Sequence, residues 1–179
     1  MPIIGDPVTL GGNGGSGTNN LFEIDFSKAI ESFSSDYVTI NNGIASFTTT
    51  ASYITMPFCG SGRTIEVDVD EVATTGTTTR RFIITGDSAS GYGFGLRNNS
   101  EWGFWSGSWQ LTGNTDKTIF DGKTVKVYID SSNKWHVYRD GVLTFESTIA
   151  ISQSSLWTIG GSGASQGPIG LSIKAVRIY

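Results

Sequence analysis

A row of acidic side chains marks the stretch from Glu66 to Glu71. Valines alternate with Glu66, Asp68 and Asp70, and a strand of period two would place the carboxylates on one face and the valines on the other. Two carboxyl groups about 5 Å apart are the machinery of retaining glycoside hydrolysis, and next-but-one residues on a strand can approach that spacing. Hydrolysis with Glu66 and Glu71 is therefore one hypothesis. The alternative, which we favour, is the solvated face of an ordinary strand.

A second candidate site is the aromatic and amide-rich stretch 98–110. Trp102 and Phe104 share one strand parity and are predicted to face a core, whereas Trp105 has the opposite parity and Trp109 follows a Gly-Ser turn. An indole exposed beside amide side chains suits a sugar, because it offers an apolar face for stacking and hydrogen bonds for hydroxyls. The candidate sugar-binding residues are Trp105, Trp109, Asn98, Asn99 and Gln110. The alternative is that these tryptophans fill the core.

Metal and triad chemistry have less support in the sequence. Calcium takes about six to eight oxygen ligands, and the possible donors Asp87, Asp116 and Asp121 form no contiguous Asp-x-Asp-x-Asn loop. We therefore expect no cofactor, with calcium as the one metal worth testing. His136 is the only histidine and is predicted to be a surface or hydrogen-bonded strand residue. Cys59 is the only cysteine, which excludes an internal disulfide and predicts a buried thiol.

Composition restricts the class of protein. The chain of 179 residues is long enough for one domain, and its 24 glycines fit many turns. Only 16% of residues are charged and the net charge is −4, which argues against binding to nucleic acid. No run approaches the ~18 apolar residues of a membrane span, and the N-terminus lacks the pattern of a secretory signal.

Short strand-like runs separated by polar turns extend from Leu21 to the end of the chain. Asn42-Gly43 and Asp140-Gly141 are hairpin signals, because a type I′ turn needs positive φ at both central positions. The best helix candidate, Asp25–Phe33, is short. The pattern therefore predicts an all-β sandwich or jelly roll of two sheets. The strands predicted before the C-terminal group are Leu21–Phe26, Tyr37–Ile40, Ile44–Thr48, Tyr53–Met56, Arg63–Val72, Arg80–Thr85, Tyr92–Arg97, Glu101–Trp105 and Gln110–Leu111.

The last third of the chain carries a recognisable order of parts. A Trp135-His-Val-Tyr-Arg-Asp-Gly141 hairpin precedes Thr158-Ile-Gly-Gly161 and a closing Ala175-Val-Arg-Ile-Tyr179 strand. This order resembles the C-terminal half of laminin-G-like, concanavalin-A-like lectin domains, well over about residues 120–179 and by pattern alone over 21–119. The resemblance implies an all-β, two-sheet antiparallel β-sandwich (a concanavalin-A-like jelly roll) and a lectin-like role in carbohydrate binding or adhesion.

The acidic stretch carries a second resemblance. Its order Glu-x-Asp-x-x-Glu is similar to the catalytic strand of laminarinase- and lichenase-type glucanases, which share that fold. The resemblance implies Glu66 as nucleophile, Asp68 as orienting residue and Glu71 as acid/base. The bulge position, which is usually apolar in those enzymes, is Asp70 here. Because the terminal motifs follow the lectin-like branch, we predict a protein that is not an enzyme.

Residues 1–20 stand apart from the predicted domain, 21–179. An apolar peptide with two prolines precedes a glycine-rich run at 11–17, which reads either as an anchor and flexible linker that docks on another protein chain or as a padding strand. The organisation favours a non-catalytic recognition module for cell-surface glycan, as a bacteriophage virion accessory, tail or fibre protein. It would lie on a virion or cell surface without a signal peptide, and such modules are often homo-oligomers. The alternatives are a decoration or assembly protein of a particle and the hydrolase above.

Overall fold

The fold is built almost entirely from β-strands. A computed structural model describes residues 22–26, 33–34, 38–48, 53–56, 59–72, 80–85, 92–98, 100–155, 157–160 and 171–179. The strands in these ranges are β1 Phe22–Asp25, β2 Phe33–Ser34, β3 Val38–Asn41, β4 Ile44–Phe47, β5 Tyr53–Met56, β6 Thr64–Glu71, β7 Arg80–Thr85, β8 Tyr92–Arg97, β9 Glu101–Trp105, β10 Trp109–Leu111, β11 Thr124–Ile129, β12 Trp135–Arg139, β13 Val142–Glu146, β14 Trp157–Gly160 and β15 Ser172–Ile178.

The strands form two antiparallel sheets. The nine-stranded sheet has the order β13-β12-β11-β6-β15-β4-β3-β2, with β1 also paired to β15, and the six-stranded sheet has the order β10-β9-β8-β7-β14-β5. The closing strand β15 serves two short neighbours, since Ser172 and Ile173 pair with β4 while Ala175 to Ile178 pair with β1. This architecture confirms the predicted all-β, two-sheet antiparallel sandwich.

The turn chemistry read from the sequence is present in the structure. Asn42 and Gly43 have φ of 50° and 78°, and Asp140 and Gly141 have φ of 48° and 83°. Asn and Asp tolerate this left-handed region better than most residues, and glycine enters it without a steric penalty. Both pairs therefore close two-residue hairpins, β3–β4 and β12–β13.

The helix candidate Asp25–Phe33 was wrong at both of its ends. Asp25 belongs to β1 and Phe33 to β2, and residues 27–32 lie outside the described part of the chain. Ladder pairing with β15 and β3 overrides a short stretch of helix propensity. No helix in the described ranges is long and apolar enough to cross a membrane.

The core lies between the sheets and is rich in aromatic side chains. Phe94 is 1% exposed, and its ring centroid lies 5.2 Å from those of Trp102 and Phe104 and 6.0 Å from those of Phe120 and Phe145. Phe145 belongs to the opposite sheet, so this cluster holds the two layers together. The predicted parity is confirmed, because Trp102 and Phe104 are buried. Cys59 is also buried, and burial raises the pKa of its thiol to about 12.

Two further tryptophans join the sheets at a second point. Trp135 in β12 and Trp157 in β14 are fully buried, and their rings stack with centroids 5.5 Å apart and planes 17° apart. Offset stacking of this kind adds about 0.5–1.5 kcal/mol to the free energy gained from burying the two rings.

Asp130 organises the turn between β11 and β12. Its Oδ1 accepts hydrogen bonds from the backbone N–H groups of Ser132 (2.7 Å) and Lys134 (2.9 Å), and its Oδ2 lies 3.1 Å from Nε2 of His136. The other ring nitrogen of His136 lies 3.3 Å from a carboxylate oxygen of Glu146, so the histidine is hydrogen-bonded, as predicted. The bond from Lys134 N–H, followed by that from His136, holds the pKa of Asp130 below its ordinary value.

The core predicts a large difference between two truncations. Phe94→Ala should lower the free energy of unfolding by about 3–5 kcal/mol, because it removes a buried ring and leaves a cavity. Val142→Ala should change it by no more than about 0.5 kcal/mol, since Val142 is 67% exposed. Urea titration of the two variants measures both values. A loss below about 1 kcal/mol for Phe94→Ala would contradict this account of the core.

Asp130 predicts a pH-dependent contribution to stability. A carboxyl with a lowered folded-state pKa stabilises the fold above its unfolded pKa of about 3.9, and this contribution disappears as pH falls through the folded value. Asp130→Asn should therefore be less stable than the wild type at about pH 6, and the difference should shrink toward about pH 2. Thermal unfolding across this range checks the sign, and a difference that is constant with pH would refute it.

Candidate functional site

Two indoles stand side by side at one edge of the six-stranded sheet. Trp105 ends β9, Trp109 begins β10, and the two residues are directly opposite in the ladder. Their ring centroids lie 5.7 Å apart with planes at 53°, and both side chains are half-buried. The connecting turn bends at Gly107, whose φ is 91°. The predicted opposite parity of Trp105 is thus observed, and the pair faces away from the core.

Gly103 forms the floor beside this pair of indoles. A Cβ added at Gly103 would lie 2.8 Å from the carbonyl oxygen of Gln110, 3.1 Å from Cε3 of Trp109 and 3.2 Å from Cδ2 of Leu111. Trp109 and Leu111 therefore lie directly over this glycine. On the other side of β9, Gly93 and Gly95 of β8 stand opposite Trp105 and Gly103. Glycines with no side chains let the indoles rest against the sheet.

Gln110 points to the other face of β10 and fastens the two sheets. It pairs with the inward-facing Phe104, and its Oε1 accepts hydrogen bonds from the N–H of Thr148 (3.0 Å), the hydroxyl of Thr148 (2.7 Å) and the N–H of Ile149 (3.3 Å). Its Nε2 donates to the hydroxyl of Ser106 at 3.0 Å. Gln110, which was predicted to bind the ligand, therefore has a structural role that the sequence analysis did not predict. The alternation along β10, which places Gln110 on the face opposite to Trp109, was the signal that could have indicated it.

Asn98, one of the predicted ligand residues, lies apart from the indoles. Asn98 occupies the turn between β8 and β9, with a φ of 47°, whereas Trp105 is the last residue of β9. The four steps from Glu101 to Trp105 span about 13 Å. The structure therefore brings Trp105 and Trp109 together but not Asn98, and Asn99 lies outside the described residues.

The acidic row on β6 is engaged by Arg177 from the neighbouring strand. The guanidinium donates from Nε to Glu23 (3.1 Å) and from Nη1 to Glu66 (3.2 Å) and Asp68 (2.8 Å). The hydroxyl of Tyr179 also donates to Glu66, at 3.2 Å. Burial, together with the carboxylate of Glu66, raises the pKa of Tyr179, which keeps this phenol protonated as a donor. The row is thus a cross-strand network of charge-assisted hydrogen bonds.

The end of the acidic row is irregular. Val69 pairs with Ile173 and Glu71 pairs with Ser172, so the register shifts at Asp70. The carboxylate of Asp70 lies 2.8 Å from the ammonium of Lys174 and accepts a hydrogen bond from the Ser172 hydroxyl at 3.1 Å. The hydrogen bond from Lys174 lowers the pKa of Asp70. The structure therefore has an irregularity at Asp70, the position that the glucanase resemblance implies for the bulge. The Asp70 side chain is paired with Lys174 and Ser172 of the neighbouring strand.

The possible calcium donors in the described ranges have structural partners. Oδ1 of Asp116 accepts hydrogen bonds from the N–H and hydroxyl of Thr118 (3.0 and 2.9 Å), and Oδ1 of Asp121 accepts one from the N–H of Val72 at 2.8 Å. Asp87 is outside the described part of the chain. Within that part, no group of three or more His, Cys, Asp or Glu side chains could hold a metal ion.

Comparison with known proteins shows a shared fold. No protein-family model and no curated protein matches the chain. It is similar to domain 4 of AbnA, a GH43 extracellular arabinanase from Geobacillus stearothermophilus, solved in complex with arabinotriose. The identity is 19% over 76% of this chain and 69% of that one, with a TM-score of 0.52.

Two further solved structures share this β-sandwich. Trypanosoma rangeli sialidase in complex with the inhibitor DANA has 16% identity over 76% of this chain and 25% of the sialidase, with a TM-score of 0.55. The receptor binding domain of botulinum neurotoxin D has 11% identity over 89% of this chain and 48% of that domain, with a TM-score of 0.57. The chain thus spans about a quarter of the first and about half of the second.

The close contact at Gly103 predicts the effect of adding one methyl group. Gly103→Ala should lower the free energy of unfolding by about 1–3 kcal/mol and change the tryptophan fluorescence, because Cβ would displace Trp109 and strain the β9–β10 ladder. Ser108→Ala, in the exposed turn of the same hairpin, is the matched control and should leave both readouts nearly unchanged. Equal stability of Gly103→Ala and wild type would contradict the packing described.

Proposed function

We propose that the protein is a non-catalytic carbohydrate-recognition module that contacts its glycan with Trp105 and Trp109. The observation that carries this proposal is the pair of half-buried indoles on the outer face of the six-stranded sheet, 5.7 Å apart and set over Gly103. A tilted indole pair offers two apolar surfaces on which the C–H faces of a sugar can stack. Stacking of this kind tolerates many sugar types, so the indole pair by itself does not select one sugar.

The comparisons support this proposal at the level of fold. The AbnA domain was solved with arabinotriose and the sialidase with an inhibitor. One fold hosts many functions, so the argument for this chain rests on its own indoles. Within this fold the laminin-G-like branch remains our narrower assignment, because the hairpin and the closing strand carry its motifs.

Hydrolysis by Glu66 and Glu71 is the second candidate, and the bulge at Asp70 favours it. Against it stands the engagement of Glu66, whose Oε1 accepts hydrogen bonds from both Arg177 and Tyr179. A retaining nucleophile must attack a sugar carbon with a carboxylate oxygen, and Oε1 of Glu66 is already engaged by these two hydrogen-bond donors. We therefore propose that the acidic row stabilises the sheet through its hydrogen bonds with Arg177 and Tyr179 and does not act as a catalytic pair.

The setting that we propose is a virion or cell surface, with the module serving as a bacteriophage accessory, tail or fibre protein. The motivation is the apolar peptide and glycine-rich run of residues 1–20, which we propose dock on a protein partner, and which lie outside the described residues. A decoration or assembly protein is the alternative in the same setting. Loss of particle association on deletion of residues 1–20, with the domain still folded, tests the docking role.

A glycan array tests the proposed recognition. The Trp105→Ala, Trp109→Ala double variant should lose binding by at least tenfold for any glycan that the wild type binds. Stacking on an aromatic ring contributes on the order of 1 kcal/mol, and the variant removes two rings. Tyr53→Ala removes an exposed aromatic side chain from the opposite edge strand of the same sheet and should bind normally.

The same array separates the competing readings. Parallel incubations with calcium and with a chelator determine whether a metal takes part. Analysis of the applied oligosaccharides for cleavage, with Glu66→Gln as the reference, tests hydrolysis. A folded wild type that binds none of the glycans would overturn the recognition proposal and favour a structural role on a particle.

A further inference from the structure

The outer face of the nine-stranded sheet carries a depression that the tryptophan site does not use. Its volume is about 300 Å³, and it is lined by Thr64, Glu66, Lys126 and Tyr179. Lys126 comes from β11, and Thr64 and Glu66 come from the adjacent strand β6. Tyr179 follows β15 directly and is joined to Thr64 by backbone hydrogen bonds. The depression therefore lies on rigid paired backbone rather than on loops.

Ladder register places a tyrosine on each side of Thr64. Tyr128 in β11 is directly opposite Thr64, and Tyr179 is joined to Thr64 on the other side by two backbone hydrogen bonds of 3.0 and 3.2 Å. Strands in a sheet are about 4.8 Å apart, so the two tyrosine Cα atoms are about 10 Å apart across Thr64. Tyr128 is 37% exposed. The Tyr128 ring lies against that of His136, with centroids 5.8 Å apart. The depression is therefore bordered by Tyr179 together with Thr64, Glu66 and Lys126, and we call it the slot.

The next row of the sheet places opposite charges beside this slot. Lys126 is opposite Glu66 in the ladder, and its Nζ lies 4.0 Å from Oε2 of Glu66. This separation is longer than a hydrogen bond, which spans about 2.7–3.2 Å. The other carboxylate oxygen of Glu66 is held by Arg177 and Tyr179. An oxygen atom placed about 2.8 Å from both Nζ and Oε2 would accept from the ammonium and donate to the carboxylate.

We propose that this slot is a second binding site, and that its ligand is a neutral saccharide bearing vicinal hydroxyl groups. A hydroxyl can donate and accept at once, so it fits between Lys126 and Glu66 without separating their charges. A neighbouring hydroxyl then reaches Thr64, while the sugar C–H face lies against Tyr179. An ionic ligand would instead have to replace the existing pair with one of its own. The two cations Lys126 and Arg177 stand beside three carboxylates, those of Glu66, Asp68 and Glu23. The local net charge is therefore −1, which disfavours an anionic ligand.

The position of the slot makes the module bivalent. It opens on the outer face of the nine-stranded sheet, whereas Trp105 and Trp109 lie on the outer face of the six-stranded sheet, with the core between them. One chain could therefore hold two glycan strands, or two parts of a dense glycan layer, on its opposite sides. Such simultaneous engagement raises the apparent affinity for a multivalent surface without any new contact.

The test is an NMR titration of the full chain with arabinotriose, cellotriose and maltotriose in separate samples. At least one sugar should shift the backbone amides of Thr64, Lys126 and Tyr179 in a saturable manner. These shifts should persist in the Trp105→Ala, Trp109→Ala double variant, so failure of the tryptophan site and failure of the slot are distinguishable. Lys126→Met should weaken binding at the slot by about tenfold, because it removes a charged hydrogen-bond donor.

Lys174→Met is the matched control. Lys174 is another half-exposed lysine paired with a carboxylate, that of Asp70, but it does not line the depression, so the variant should titrate as the wild type does. No shift at the slot with any of the three sugars would overturn the proposal. Shifts that vanish in the double tryptophan variant, or that survive Lys126→Met at full affinity, would also overturn it, since they would locate the ligand elsewhere.

Discussion

The structure depends on burying two alternating apolar sheet faces against each other. Each strand offers every second side chain to the core, and the aromatic cluster around Phe94 and the stacked Trp135–Trp157 pair span the gap between the layers. A single sheet of this composition would leave these rings in water, at a cost of roughly 25 cal/mol for each Å² of apolar surface. Once both inner faces are fixed, the outward side chains are fixed as well, and every candidate site lies among them.

At the edge of the sandwich formed by β10 and β13, hydrogen bonds join the two sheets in addition to the apolar core. Strands β10 and β13 each lie at one edge of their sheet, and the side-chain amide of Gln110 bridges from β10 to the loop that follows β13. The same short hairpin supplies the indole pair on its other face. The β9–β10 hairpin therefore both joins the two sheets at this edge and presents the indole pair. A change that destabilises this edge would also change the arrangement of the two indoles.

The two outer faces differ in chemistry because different types of outward-facing residue alternate with the core residues in the two sheets. On the six-stranded sheet, the glycines of β8 alternate with the core-facing residues Tyr92, Phe94 and Leu96. The indoles of β9 and β10 occupy the space beside these glycines. On the nine-stranded sheet, charged and hydroxyl residues alternate with valine and isoleucine, and Arg177 binds three carboxylates at once. Stacking suits the first face and directional hydrogen bonding suits the second, so the two faces are equipped for different modes of contact.

The sequence by itself determined the local features: the sandwich class, most of the strands, the Asn-Gly and Asp-Gly hairpins, and the inward or outward parity of Trp102 and Trp105. These depend on period-two alternation and on the φ preferences of single residues, which are properties of short segments. Only the tertiary structure decided that Gln110 fastens the sheets, that Arg177 donates a hydrogen bond to Glu66, and that Tyr128 and Tyr179 flank Thr64 in the sheet. The contact between Arg177 and Glu66 joins residues 111 positions apart. Such contacts depend on strand order, which local pattern does not encode because many orders bury the same alternating faces.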